Sequence, residues 1–498
     1  MNTVSPTLPS AAPSDSPAWQ NSCRQLYFAL LGESGSRVGQ IDESTRCASR
    51  AFLLEKLHVA RTLDSDFPAE SRLLPEVMHQ AHEDTAHAYR RYLDERRAGS
   101  PRRYFSCRAH AMHFLRAVAP TKFVDGAWLY GLLSRWQDPR LASLIRIYLE
   151  ELGCGVASQN HVVLYKQLLA RYGCDHWENG PDAHFTQGAV QLALAHHADA
   201  FLPELIGFNL GYEQLPLHLP ISAYELNELD IDPYYFTLHM TIDNASTGHA
   251  RKALQSVLDC IPRMGDAAQF YRRVEDGYRL NLVGMGTPDA IASFDLEQEL
   301  LRVLADKASI GAHLHSDYCL IGGKPVSQWL SPAGQIPEML AALQATGWIR
   351  RGQSPEHSRF WRLLTDERAP MFGVFDGYEQ QLLHDWIQAD TSATSTARPT
   401  VRPGRHAPDG NDEQALAPME SGASIEQIIA HHAQGQVEPA NCAEVDALFK
   451  QLEGVGTKSQ ALGILEGMLS PANHPTPAGL AATRLYADLF SRQGVYGY

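Results

Sequence analysis

The sequence predicts an all-α fold, a helical bundle followed by a mixed α/β extension and a small helical tail. Three observations carry this expectation. Apolar residues recur at helical spacing from about Gln20 to Arg97 and again from Tyr104 onward. Residues capable of metal or acid–base chemistry sit on the apolar stripes of successive helical segments, where a bundle brings such stripes together. From about Ser293 the composition shifts toward short aromatic stretches and turns, and after residue 389 toward Ser, Thr, Pro and Gly.

These shifts set the expected boundaries. A polar, Ser/Pro-rich leader over 1–20 lacks the apolar centre of a signal peptide and reads as disordered. A bundle follows over 21–292, an accessory domain over 293–388, a linker over 389–422 and a small helical segment over 423–498. The formal net charge of −15 argues against a nucleic-acid partner or an anionic membrane surface. No apolar run reaches the roughly 20 residues that span a bilayer. Eight scattered cysteines (Cys23, Cys47, Cys107, Cys154, Cys174, Cys260, Cys319 and Cys442) form no CxxC pair, the usage of reduced thiols in a cytoplasm. A soluble cytoplasmic chain is expected.

The first helical segments, up to Arg97, carry His79, His82 and His87 among charges, as on a solvated face. In the next, Asp125 shares a stripe with Leu129, Leu132 and Trp136; it is either an inward carboxylate or the N-cap of a helix. Leu141, Leu144, Tyr148 and Glu151 then share a stripe, so Glu151 faces in while Glu150 is turned about 100° away. Gly153 and Gly155 loosen the chain before His161, whose face is Leu164, Tyr165 and Leu168. Of Glu204 and Glu213, nine residues apart, only one can face a common site. Pro203 gives Glu204 an ordinary place at a helix start, and Glu213 follows Ile206, Asn209 and Leu210, so Glu213 is favoured. His196 and His197 read as packing residues or as supports behind the ligands.

In the stretch from Tyr235 to Ala250, His239 and Asp243 are four apart and share a helical face beside Tyr235, Phe236 and Ile242. Such a pair is either a hydrogen-bonded core pair or two metal ligands. His249 lies six residues beyond Asp243, about 240° around an ideal helix, and joins the same site only if the weak helix formers from Asn244 to Gly248 distort the chain.

Beyond Ser293, a helix followed by two short aromatic strands around Gln353, Ser354 and Pro355 has a winged-helix-like outline. With this charge balance, protein contact or bracing of the bundle is expected there rather than DNA reading. His313, His315 and Asp317 alternate as on one strand face, either a second metal site or plain strand residues near a turn. The helical stretch from Ser424 to Tyr498 carries no chemistry readable from its composition.

Together the inward polar residues are Asp125, Glu151, His161, Glu213, His239, Asp243 and His249. Four carboxylates and three imidazoles projecting into a helical bundle are the donor pattern of non-haem di-iron proteins. A structural zinc usually takes thiolates, and a haem needs one axial histidine and leaves the carboxylates unexplained.

The run GYEQLP, the later DPYYFTLHMTIDNASTGHA and an upstream EELG followed by NH resemble the iron-containing redox enzyme family of the haem-oxygenase-like di-iron oxidases. The resemblance covers about 105 to 265 and not the C-terminal third. It implies a haem-oxygenase-like helical bundle that binds two Fe(II) ions and uses O2 as co-substrate. Glu151 and His161 then look like ligands from one core region, Glu213 like the glutamate of the YE motif, and His239, Asp243 and His249 like those of the last ligand helix. Asp125 stands where relatives usually carry glutamate, and the Asp243-to-His249 spacing is longer than is usual. The histidine-rich set is similar to members that oxygenate nitrogen, which implies an amine or amino-acid-derived small-molecule substrate in a biosynthetic role.

No GxGxxG follows a strand, so electrons are expected from an external donor. A homodimer is compatible with the sequence. The competing expectations are oxidative C–C cleavage or desaturation at the same site, and a metal-free helical binding or scaffold protein.

Overall fold

The computed structural model describes residues 22–32, 41–242, 248–311, 318–331, 335–389, 423–434 and 443–492. The expected leader, nearly all of the expected linker, and the candidates Asp243, His313, His315 and Asp317 lie outside the described residues.

Helices α1 (Cys23–Leu31), α2 (Glu43–Ala60) and α3 (Leu74–Arg97) lead into the part that carries the candidate site. That part holds α4 (Arg108–Lys122), a 3-10 stretch (Ala127–Arg135), α5 (Ala142–Glu151), α6 (His161–Tyr172), α7 (Thr186–His196) and α8 (Leu202–Tyr212). It continues with α9 (His218–Glu228), α10 (Tyr234–Ile242), α11 (His249–Cys260), α12 (Ala267–Arg279) and α13 (Thr287–Ala292). After α14 (Leu296–Gly311) come a hairpin of β1 (Leu320–Ile321) and β2 (Lys324–Pro325), then α15 (Val326–Leu330), α16 (Ile336–Ala345), α17 (Arg359–Thr365) and α18 (Gly377–Gln388). The remaining described helices are α19 (Ile425–Gln434), α20 (Ala443–Leu452), α21 (Lys458–Glu466) and α22 (Pro477–Ser491).

The helices follow the periodicity and the capping chemistry. In α3 the buried residues Leu74, Met78, Tyr92 and Arg96 fall close to whole turns of a helix with about 3.6 residues per turn, while His79 and His87 are exposed and His82 is half-buried. Side-chain oxygens of Asp42, Asn160, Asp266 and Thr476 accept backbone N–H groups at the starts of α2, α6, α12 and α22. Between α5 and α6, Gly153, Cys154 and Gly155 all adopt positive φ (62°, 49° and 85°), so the chain breaks where the glycines predict it.

Among the described residues two apolar cores form. The first gathers buried residues of α1, α2, the 3-10 stretch, α5, α7, α8, α11 and α12, and continues without interruption into Ile428, Leu448, Leu462, Leu465, Leu485 and Phe490 of α19 to α22. The second gathers α4, α6, α9 and α10 together with α14, α16, α17 and α18. Both C-terminal segments therefore pack into cores shared with the bundle.

The mostly helical fold matches the expectation, but the winged-helix-like outline does not. The residues around Gln353 to Pro355 form turns and a 3-10 turn leading into α17, where Phe360 and Leu364 are buried at a spacing of four, a helical period rather than a strand's. Among the described residues the strand pair lies earlier, turning at Gly322 and Gly323, with Leu320 opposite Pro325 and Ile321 opposite Lys324.

Candidate metal centre

Six side chains from six different elements meet at the seam between the two cores. Glu151 is the last residue of α5, His161 the first of α6, Glu213 immediately follows α8, and His249 is the first of α11. His239 lies within α10, and Asp125 lies in the turn between α4 and the 3-10 stretch. All six are buried. Asp125, Glu151, His161 and His239 each bring one donor atom within 4.8 Å of the others, and Glu151, Glu213 and His249 do the same. Glu151 belongs to both groups.

The two oxygens of Glu151 face different partners. Oε2 abuts His161 Nδ1, whereas Oε1 lies 3.0 Å from His249 Nδ1. That histidine nitrogen is also 3.2 Å from Glu213 Oε2. Across the site, Asp125 Oδ2 is 3.3 Å from His239 Nε2 and 3.8 Å from His161 Nδ1. Gly126 makes this approach possible: its φ is +76°, and a Cβ there would lie 3.0 Å from Glu151 Cβ and 3.1 Å from its Cγ.

Hydrogen bonds outside the cluster orient its members. Asp125 accepts from Tyr212 Oη at 2.7 Å and from Tyr235 Oη at 2.8 Å. Lys122 Nζ donates to Tyr212 Oη at 3.1 Å and stands 4.0 Å from Asp125 Oδ2. His239 Nδ1 donates to the Tyr235 carbonyl at 2.8 Å, which turns Nε2 toward Asp125 Oδ2 at 3.3 Å. His249 Nε2 donates to Glu150 Oε2 at 2.9 Å, which turns Nδ1 toward the Glu151 and Glu213 oxygens. Lys252 pairs with the same Glu150 oxygen.

Nitrogen lone pairs facing carboxylate oxygens repel unless a proton or a metal cation lies between them. His161 makes the same point: its ring is fully buried, yet neither nitrogen has hydrogen-bond geometry to any partner. Without metal, protons answer this need. Burial favours a neutral His161, but Glu151 and then Asp125 outweigh it and hold the imidazole at a pKa of about 10. Burial likewise opposes ionisation of Asp125, and Lys122, His161 and His239 overcome it, so the carboxyl sits well below its ordinary range. Glu151 is held low against burial chiefly by His161. Mixed carboxylate and imidazole donors in an apolar setting fit iron.

Six of the seven expected residues are thus brought together, and Asp243 lies outside the described residues. Asp125 does not cap a helix: the 3-10 stretch starts after Gly126 with no side-chain cap, and the carboxylate turns to the tyrosines. Glu204 lies elsewhere, in the first turn of α8 as Pro203 predicted, and pairs with Arg273 at 2.7 Å. His196 bonds the Leu30 carbonyl and His197 the Ser49 hydroxyl, both away from the cluster. Sequence reasoning missed Glu150, Lys122, Tyr212 and Tyr235 as its supports. Only Tyr235 carried a readable signal, four residues before His239 on the same face.

Residues 112–281 match the family model described as iron-containing redox enzyme, a span that holds all six clustered residues and excludes α13 to α22. No curated protein and no solved structure matches the chain. The buried donor cluster and the family match point the same way: residues 112–281 are similar to the iron-containing redox enzyme family.

Proposed function

We propose that this chain is a dioxygen-dependent oxidoreductase that holds two ferrous ions at Asp125, Glu151, His161, Glu213, His239 and His249. The observation that carries the reading is the shared carboxylate: two donor groups meet at Glu151, one through each oxygen. Bound iron would supply electrons and open positions for dioxygen chemistry.

The chain's own side chains do the rest. Tyr212 and Tyr235 fix both oxygens of Asp125 and hold two protons beside them. The Tyr235 carbonyl and Glu150 select the histidine tautomers that leave lone pairs facing inward. The apolar residues of both cores exclude water from the inner face. Electrons for repeated turnover come from an external donor, and the substrate is a small molecule. The histidine-rich donor set favours oxygenation of an amine nitrogen, by resemblance to family members that do this.

Anaerobic Fe(II) titration followed by metal analysis and Mössbauer spectroscopy tests the reading. Two tightly held, magnetically coupled irons per chain are expected, with oxygen consumption that depends on them. Uptake of no iron, or of one isolated ion, overturns it.

A further inference from the structure

We infer that the C-terminal helices belong to this centre: His474 acts through Asn160 as a positioning residue that sets the spacing between Glu151 and His161. This rests on the proposed iron site, and it concerns a segment that lies outside the family-matched span.

Asn160 is fully buried and immediately precedes His161. Its Oδ1 accepts from Val163 N at 3.0 Å, capping α6, which fixes the orientation of the amide. Nδ2 then donates to the Leu152 carbonyl at 3.2 Å, one residue past Glu151, and to His474 Nδ1 at 3.1 Å. One side chain thereby ties the end of the helix carrying Glu151 to the start of the helix carrying His161, and His474 is its third anchor.

His474 is itself held firmly. It is buried in a turn closed by its N–H to the Ser470 carbonyl at 2.9 Å, just before Thr476 caps α22. Three further bonds seat this segment on the bundle: Tyr148 Oη to the Leu469 carbonyl, Arg484 Nη2 to the Gly155 carbonyl at 3.1 Å, and Tyr486 Oη to the Leu133 carbonyl at 3.2 Å. At Gly155 a Cβ would overlap the Leu480 carbonyl, so the turn after Glu151 accepts α22 only as glycine. Burial, then Lys166 and His161, lower the His474 pKa to about 3, which keeps its Nδ1 available as an acceptor.

The test uses full-length His474→Ala, His474→Asn and Tyr486→Phe. Iron release to a chelator and, in the metal-free protein, amide hydrogen exchange at the first turn of α6 are both followed. His474→Ala should release iron about 10- to 100-fold faster and exchange faster at Val163 and Leu164. His474→Asn should restore both, because its Oδ1 can stand where Nδ1 accepts. Tyr486→Phe removes a tail anchor remote from Asn160 and should change neither. The inference is overturned if His474→Ala matches wild type, if Asn and Ala behave alike, or if Tyr486→Phe has the same effect. Wild-type protein that takes up no iron defeats the proposed function instead, while the exchange measurement still decides the role of His474.

Discussion

On one side of Glu151, Asp125, His161 and His239 are fixed chiefly by uncharged groups deep in the protein: two tyrosine hydroxyls donate, a backbone carbonyl accepts, and the two imidazoles lie 4.3 Å apart between ring centres, with the Lys122 ammonium 4.0 Å from Asp125. On the other side, His249 is fixed by a charged pair, Glu150 and Lys252, whose side chains are 30% and 24% exposed. The two sides also come from different parts of the fold. Glu151, Glu213 and His249 stand on helices of the first core, whereas His161 and His239 stand on helices of the second. One half of the centre is therefore set chiefly by packing and uncharged hydrogen-bonding groups, and its charged contact here, Lys122 with the buried Asp125, is screened little by salt. The other depends on an ion pair within reach of solvent, which salt does weaken.

Removing the element common to both halves should have the largest effect. Glu151→Gln should abolish uptake of both irons while the protein stays helical, measured by metal analysis beside circular dichroism. Retention of one iron would show that the halves are independent sites.

Next in size, Glu150→Gln should weaken binding about 10- to 100-fold at one iron only, because it removes the carboxylate that orients His249. Tyr212→Phe, which removes one of two neutral donors to Asp125, should cost about 1 kcal/mol in unfolding free energy and lose less iron than Glu150→Gln. Competition with a chelator at low and high salt separates the two variants. Equal losses in both would erase the contrast between the halves.

A separate effect, spread over pH, concerns protons. In metal-free protein His161 is held at about 10 and carries a proton at neutral pH, so iron must displace it. Apparent iron affinity should therefore rise with pH, by up to about tenfold per unit between about pH 6 and about pH 8, and binding should release protons into weakly buffered solution. The raised pKa stabilises the metal-free fold below the ordinary histidine range, and that contribution is lost as pH rises through about 10. Uptake without proton release would remove His161 from the donor set.

The helical fold and most of the cluster were legible because their signals are local. Leu141, Leu144, Tyr148 and Glu151 share a stripe that the structure buries together, and the stripe that favours Glu213 over Glu204 likewise survives folding. His249 required a break before it, and it does begin a separate helix. What stayed hidden depends on distant partners. Glu150 reads as turned away because its own helix says so, yet it meets His249, 99 residues later. Tyr235 reads only as a neighbour of the His239 face, and Tyr212 not at all, because their hydroxyl partner, Asp125, lies on another element. The strand pair was misplaced because aromatic residues at Trp348, Phe360 and Trp361 resemble strand composition, although Phe360 and Leu364 bury with helical period. Nothing near Ser470 names a partner 314 residues upstream.

That separation has a consequence in time. At about 5–20 residues per second, ribosomal synthesis delivers His474 roughly 15–60 s after Asn160. In the later part of that interval, once His249 has been made, the nascent bundle holds its acidic and imidazole side chains while the Asn160 amide lacks one of its anchors. Iron encountering the growing polypeptide meets a looser receptacle than the finished one, so faithful loading belongs to the completed chain.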